Sequence, residues 1–355
     1  MLLVLVGPAS AQVVPASHVI LVTLDGVRPA ELFGGMDSAI SADSTSGVAD
    51  LARLQRDYWR PTAEARRRAL MPFLWDSLVP RGVVFGDRAH GSRASITNVH
   101  GFSAPGYLEI LTGRAQSEVT SNEPRRYPHS TVLEVIRDRL AGSPHGVATF
   151  ASWQNFRYYV SSRDGAVFVN AGFDTLPVDL RGGDLALLDR LEQRALPPWN
   201  DSRLDVFTGA MGLAYLRQQT PVALFLAMND TDDLAHGRRY DRVLDALHGL
   251  DGLLQELWQV MQSLPEYHDR TTLMMTTDHG RGLGPRDWSD HGADTPGSDQ
   301  IWIVAVGAGV PARGIVAGGP EVRQSQVAAT LLACLGLDQR LLPEAAGPLP
   351  GVCGE

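Results

Sequence analysis

Five short apolar runs constrain this chain more than any other feature: HVILVTL (18–24), GVATFAS (146–152), PVALFLAM (221–228), TTLMMTT (271–277) and IWIVAVG (301–307). A strand wetted on one face alternates polar and apolar residues. Runs without that alternation suit strands buried on both faces, as in a largely parallel sheet. Segments with helical spacing lie between them: AEARRRALMPFLWDSLV (63–79), STVLEVIRDRLAG (130–142), YDRVLDALHGLDGLLQELWQVMQSL (240–264) and SQVAATLLACLGL (325–337). Strands alternating with helices predict an α/β class, a three-layer sandwich with a largely parallel central sheet. Residues 12–355 read as a single domain. The stretch 154–205, of mixed polarity and containing Pro-Pro-Trp, reads as a cap or insertion over the sheet.

In open α/β sheets ligands bind at the carboxyl ends of the strands, so the residues just after each run matter most. Asp25 follows the first run, NDTDDLAHG (229–237) the third and Asp278-His279-Gly280 the fourth. Asp232 and His236 are four apart and share a face if the segment is helical. WSDHGAD (288–294) adds His291. Each feature has an ordinary reading: a capping Asp before a turn glycine, a solvated acidic loop, a surface histidine. Together Asp25, Asp232, His236, Asp278, His279 and His291 suffice for two metal ions, and carboxylate oxygen with imidazole nitrogen suits zinc. In GFSAPGYLEILTGR (101–114), Ser103 precedes a run with helical spacing and is expected at a helix N-cap. A helix N-terminus also favours an anion, so a serine there is well placed to attack a phosphoryl group.

Composition excludes several alternatives. The net charge of -9 argues against a nucleic-acid partner, which needs clustered cations. All 31 basic residues are Arg, which removes Schiff-base and P-loop lysines. No apolar stretch of about 18 residues indicates a membrane span. The start, MLLVLVGPASAQ, fits a truncated signal peptide over 1–11, with a secreted or periplasmic location, although a basic n-region is missing; the other reading is an ordinary apolar N-terminus. Cys334 and Cys353 either form a disulfide or are a buried thiol and a tail cysteine.

SAPGYLEILTG resembles the nucleophile segment of the type I phosphodiesterase and nucleotide pyrophosphatase branch of the alkaline phosphatase superfamily. The resemblance runs from about 18 to 337 and includes the order of motifs: strand-Asp-Gly, nucleophile, Asn, Asp-x-x-x-His, Asp-His-Gly and a last His. It implies an alkaline phosphatase-like fold in which Asp25, Ser103, Asp278 and His279 hold one zinc while Asp232, His236 and His291 hold the other. It also implies that Asn122 binds a phosphate oxygen and that a small-molecule phosphate ester is hydrolysed through a phosphoserine. Sulfatases share the x-Pro and LTGR elements, but they carry Arg where this chain has Tyr107, and usually two aspartates where it has only Asp25. Both departures favour the two-metal phosphoryl branch. Sulfatase or phosphonate hydrolase activity within the same superfamily is the alternative. A metal-free serine acyl hydrolase is disfavoured because its elbow needs Gly where Pro105 stands, and a binding module without turnover is disfavoured because the ligand set is intact. No motif marks an arginine for a monoester's extra charge, so monoester versus diester stays open.

Overall fold

The computed structural model describes residues 15–197 and 199–354; the signal-like segment 1–11 lies outside them. Among the described residues the strands are β1 (His18–Leu24), β2 (Gly82–Phe85), β3 (Ala94–Ser95), β4 (Val147–Ala151), β5 (Phe168–Ala171), β6 (Ala223–Met228), β7 (Thr271–Thr276), β8 (Ile303–Gly307), β9 (Gly314–Ile315) and β10 (Val322–Arg323). Eight of them form one sheet in the order β5-β4-β6-β1-β7-β8-β2-β9, and β3 and β10 pair separately. All five apolar runs of the sequence are strands of the large sheet.

Side chains on successive strand positions point to opposite faces. Ile20, Val22 and Leu24 therefore enter one core layer while Val19 and Leu21 enter the other. Helices Asp205–Gln219 and Tyr240–Ser263 cover the first face, and Ser103–Thr112, Val132–Leu140 and Gln326–Cys334 cover the second. The result is a three-layer α/β sandwich.

The sheet is parallel from β5 through β7, but β8 runs antiparallel to both β7 and β2. The chain passes from β7 to β8 by a loop with no crossover helix, and that loop carries Asp278, His279 and His291. The helix expected over 63–79 stops at Leu70, and a π turn (Leu74–Leu78) and a 3-10 turn (Val79–Arg81) follow. Pro72 lacks an N–H and its ring clashes with the carbonyl four residues back, so the helix cannot continue. The stretch 154–205, read from the sequence as a cap or insertion, supplies β5, an edge strand of the sheet, and the helix Gly183–Glu192. Cys334, at the end of its helix, is joined to Cys353 in a disulfide with Cα atoms 4.6 Å apart. Among the described residues no helix is long and apolar enough to cross a membrane.

Candidate metal centre

The register of three adjacent strands builds the site. Leu24 of β1 pairs with Met228 of β6, and Thr23 pairs with Thr276 of β7, so the three carboxyl ends lie side by side. Asp25 leaves β1 at that edge, Asp278 and His279 leave β7, and β6 leads into a short helix, Asp230–His236. That helix sets Asp232 and His236 on one face, with His236 Nε2 3.2 Å from Asp232 Oδ2.

His279 Nε2 lies 3.4 Å from Asp25 Oδ1, 3.3 Å from Asp278 Oδ2 and 4.0 Å from Asp232 Oδ1. Asp25 Oδ1, Asp278 Oδ2 and His279 Nε2 are buried and have no hydrogen-bond partner in the protein, while Asp232 Oδ1 is buried against the Arg281 guanidinium. Buried polar atoms are normally paired, because desolvation without a partner is costly. Three such atoms, two of them from carboxylates, lie together beside Asp232 and form a donor set suited to a divalent cation. Asp232, His236 and His291 form a second set, with the Nε2 atoms of the two histidines 3.0 Å apart. Asp232 belongs to both sets. Both sets are candidate metal-binding clusters whose donors fit divalent cations; unlike the sets implied by the resemblance, the first contains Asp232.

The surrounding bonds aim these ligands. His279 Nδ1 donates to the Gly280 carbonyl at 2.9 Å and His291 Nδ1 to the Gly101 carbonyl at 3.2 Å. A carbonyl only accepts, so Nδ1 carries the proton in each ring and Nε2 is left with its lone pair for a cation. The other Asp278 oxygen accepts from Gly26 N–H at 3.0 Å, and the other Asp25 oxygen accepts from Tyr107 O–H at 2.9 Å.

Ser103 is buried and opens the helix Ser103–Thr112 as its first residue; the N-cap is Phe102, whose side chain makes no capping bond. The expected N-cap serine is corrected by one position. The orphan N–H of Ala104 is instead satisfied from a distance by Asn122 Oδ1, at 2.9 Å. The helix approaches Asp278 closely because position 106 is glycine: a Cβ there would sit 2.4 Å from the Asp278 carbonyl oxygen. All eight residues singled out in the sequence therefore come from segments that meet at one edge of the sheet.

Three contributors escaped sequence reading. Tyr107 is fully buried and holds Asp25. Glu109 accepts from the backbone N–H groups of Thr97, Asn98 and Ser325, and Asn98 in turn accepts from Gly101 N–H, which fixes the turn before Ser103. Arg281 contacts Asp232 and donates to the carbonyls of Gly26 and Ser289. The signal for Tyr107 was its i+4 spacing from Ser103, and that for Glu109 was a lone carboxylate on an otherwise apolar helix. Arg281 had only its adjacency to Asp-His-Gly.

Burial and the neighbouring Asp25 raise the Asp278 carboxyl to about 7. For His279 burial opposes the charge, but Asp278 and Asp25 prevail and carry it up to about 9. Burial, then His279, Arg281 and His236, depress His291. Asp278 and His279 bind protons more tightly in the folded than in the unfolded chain, whose ordinary values are 3.8 and 6.5. The chelated protein should therefore lose stability as pH rises from about 4 to about 9. A metal replaces those protons, so the Tm gap between zinc-loaded and EDTA-treated protein should widen from about pH 5 to about pH 8. A constant or shrinking gap would mean that these groups do not hold the metal.

Several solved structures share this fold. A putative sulfatase from Bacteroides thetaiotaomicron matches with a TM-score of 0.62 at 13% identity, over 95% of this chain and 74% of that one. A phosphonate monoester hydrolase from Silicibacter pomeroyi matches with a TM-score of 0.56 at 14% identity, over 96% and 77%. A protein in the alkaline phosphatase superfamily from Vibrio parahaemolyticus matches with a TM-score of 0.50 at 12% identity, over 91% and 69%. The architecture is alkaline phosphatase-like, and these neighbours do not single out the phosphodiesterase branch of the sequence resemblance. No family model matches the sequence, and no curated protein matches it.

Proposed function

We propose that this chain, with its alkaline phosphatase-like fold, is a metal-dependent hydrolase of phosphate esters that uses Ser103 as nucleophile. The observation that carries the reading is the convergence of Asp25 Oδ1, Asp278 Oδ2 and His279 Nε2 as unpartnered buried atoms, with Asp232 beside them. Asp25, Asp278, His279 and Ser103 would hold one ion and Asp232, His236 and His291 the other, zinc by ligand type. Bound there, such ions lower the pKa of a hydroxyl and stabilise charge on attacking and leaving oxygens.

The chain's own groups do the rest. Ser103 Oγ forms the bond to phosphorus as the ester's alcohol leaves, giving a phosphoserine. Water then cleaves that bond, phosphate departs and the hydroxyl is restored. The helix N-terminus at Ser103 favours the anionic group, and Asn122, held beside it through Ala104, offers its amide to a non-bridging oxygen. Asn122→Ala is expected to lower kcat by roughly 10- to 1,000-fold with the metals retained. Loss of its bond to Ala104 should also cost about 0.5–2 kcal/mol. An unchanged kcat in the folded, metal-loaded variant would remove Asn122 from the reaction and leave it a cap.

A second reading, hydrolysis of a sulfate ester or a phosphonate, is favoured by the structural neighbours, a putative sulfatase and a phosphonate monoester hydrolase. Tyr107 speaks for phosphoryl chemistry, since it stands where sulfatases carry Arg. Metal analysis of the purified protein with parallel rates on a phosphate monoester, a phosphate diester, a phosphonate monoester and a sulfate ester tests both. The first reading expects a phosphate ester to be fastest. A faster sulfate or phosphonate ester would move the assignment to the second reading, and no turnover of any by metal-loaded protein would refute both. The Cys334–Cys353 disulfide supports a secreted or periplasmic location.

A further inference from the structure

We propose that the Arg281 guanidinium is a resident cation at the carboxylate shared by the two ligand sets, holding Asp232 in competition with the second divalent ion. The inference rests on the two-ion reading above and concerns the order and affinity of loading.

Three observations carry it. Asp232 is the one residue common to the Asp25–Asp232–His279 and Asp232–His236–His291 groups. Arg281 is buried with its Nη2 against Asp232 Oδ1. Its remaining nitrogens are committed to the segments that bear other ligands: Nε donates to the carbonyl of Gly26, next to Asp25, at 3.1 Å, and Nη1 to that of Ser289, two residues before His291, at 2.6 Å. A guanidinium is charged at any working pH, and its rigid fork allows this three-way engagement where an ammonium could not. Position 26 is fitted to it. Gly26 has φ +61°, and a Cβ there would lie 2.6 Å from Arg281 Nε.

The consequence is an asymmetry. Asp25 and His279, with Asp278 beside them, offer atoms that Arg281 does not touch, so a first ion keeps these ligands even while the guanidinium holds the shared Asp232. The second set depends on Asp232, whose oxygen already faces a fixed positive charge. Its ion must either displace the guanidinium or bind beside it, and both weaken the step. Arg281 is thus a positioning residue that keeps Asp232 and the two loops in place before metal arrives, at the expense of the second site's affinity.

Calorimetric titration of the chelator-stripped full chain with Zn²⁺ tests this, comparing the wild type with Arg281→Met, Arg281→Gln and Arg281→Lys. The wild type should bind one ion tightly and a second at least about tenfold more weakly. Arg281→Met should tighten the second step by about tenfold or more, about 1.4 kcal/mol, with a smaller change in the first. Arg281→Gln, which keeps a donor for the two carbonyls without the charge, should behave alike and carries the test if the Met variant does not fold. Arg281→Lys, which keeps the charge, should stay near wild type. Zinc should also raise the Tm of the neutral variants more than that of the wild type at equal concentration. A purely structural tie predicts the reverse, with all three variants losing affinity at both steps; that result, or an unchanged second step in the Met and Gln variants, overturns the proposal. Wild-type protein that takes up no zinc would instead overturn the metal-dependent function on which it rests.

Discussion

Ser103→Ala is expected to lose turnover by several orders of magnitude while the protein stays folded and metal-loaded. No phosphoserine can form without the hydroxyl, and water would have to attack phosphorus from a different side. The structure makes this test cleaner than an N-cap serine would allow. Ser103 is the first residue inside its helix, and the Ala104 N–H takes its bond from Asn122. A helical position tolerates Ala well, so stability should change by only a few tenths of a kcal/mol. Ser103→Thr keeps a hydroxyl and should retain part of the activity; Ser103→Gly should be as inactive as Ala. Measuring kcat and Tm on all three separates the roles. Turnover close to wild type in the Ala and Gly variants would sink the nucleophile assignment.

Asp278→Asn should be nearly as damaging, by a different route. The Asn side chain still accepts from Gly26 N–H but offers no charged oxygen beside Asp25 Oδ1 and His279 Nε2. Loss of an outer-shell partner costs metal sites about 10- to 100-fold in affinity, and a direct ligand should reach at least the upper end of that range. Turnover should fall with metal content. The chelated variant should be more stable than chelated wild type above about pH 7, because the wild type buries a carboxyl that resists ionisation. Metal content by elemental analysis and Tm with EDTA check both halves. Full metal occupancy with ordinary turnover would exclude Asp278 as a ligand.

Most of the candidate ligands were legible because they lie next to a strong local signal; His291, in the loop between β7 and β8, is the exception. The run HVILVTL coincides with β1, and Asp25 is the next residue. The spacing of Asp232 and His236 already implied a shared helical face, and the short helix Asp230–His236 supplies it. The strands β2, β5 and β9 were missed, being only two to four residues long. So short a segment carries too little periodicity to separate it from a loop. The broken helix over 63–79 was missed for the opposite reason: the apolar spacing persisted through Pro72 although the backbone could not.

Local pattern was enough to identify the five long buried strands and several of the helices packed on them, though not the helix Asp205–Gln219, and to show that carboxylates follow three of those strands. Those properties depend on residues within a few positions of one another, and periodicity records them directly. Long-range packing settles that β6, β1 and β7 are neighbours, that Asp232 belongs to both candidate clusters, that Asn122 rather than Ser103 caps the helix Ser103–Thr112, and that Tyr107 and Arg281 reach Asp25 and Asp232. Each is a contact between residues 18 to more than 200 positions apart, or a choice among several possible partners. Strand order and side-chain packing make that choice, and no local pattern along the chain encodes it.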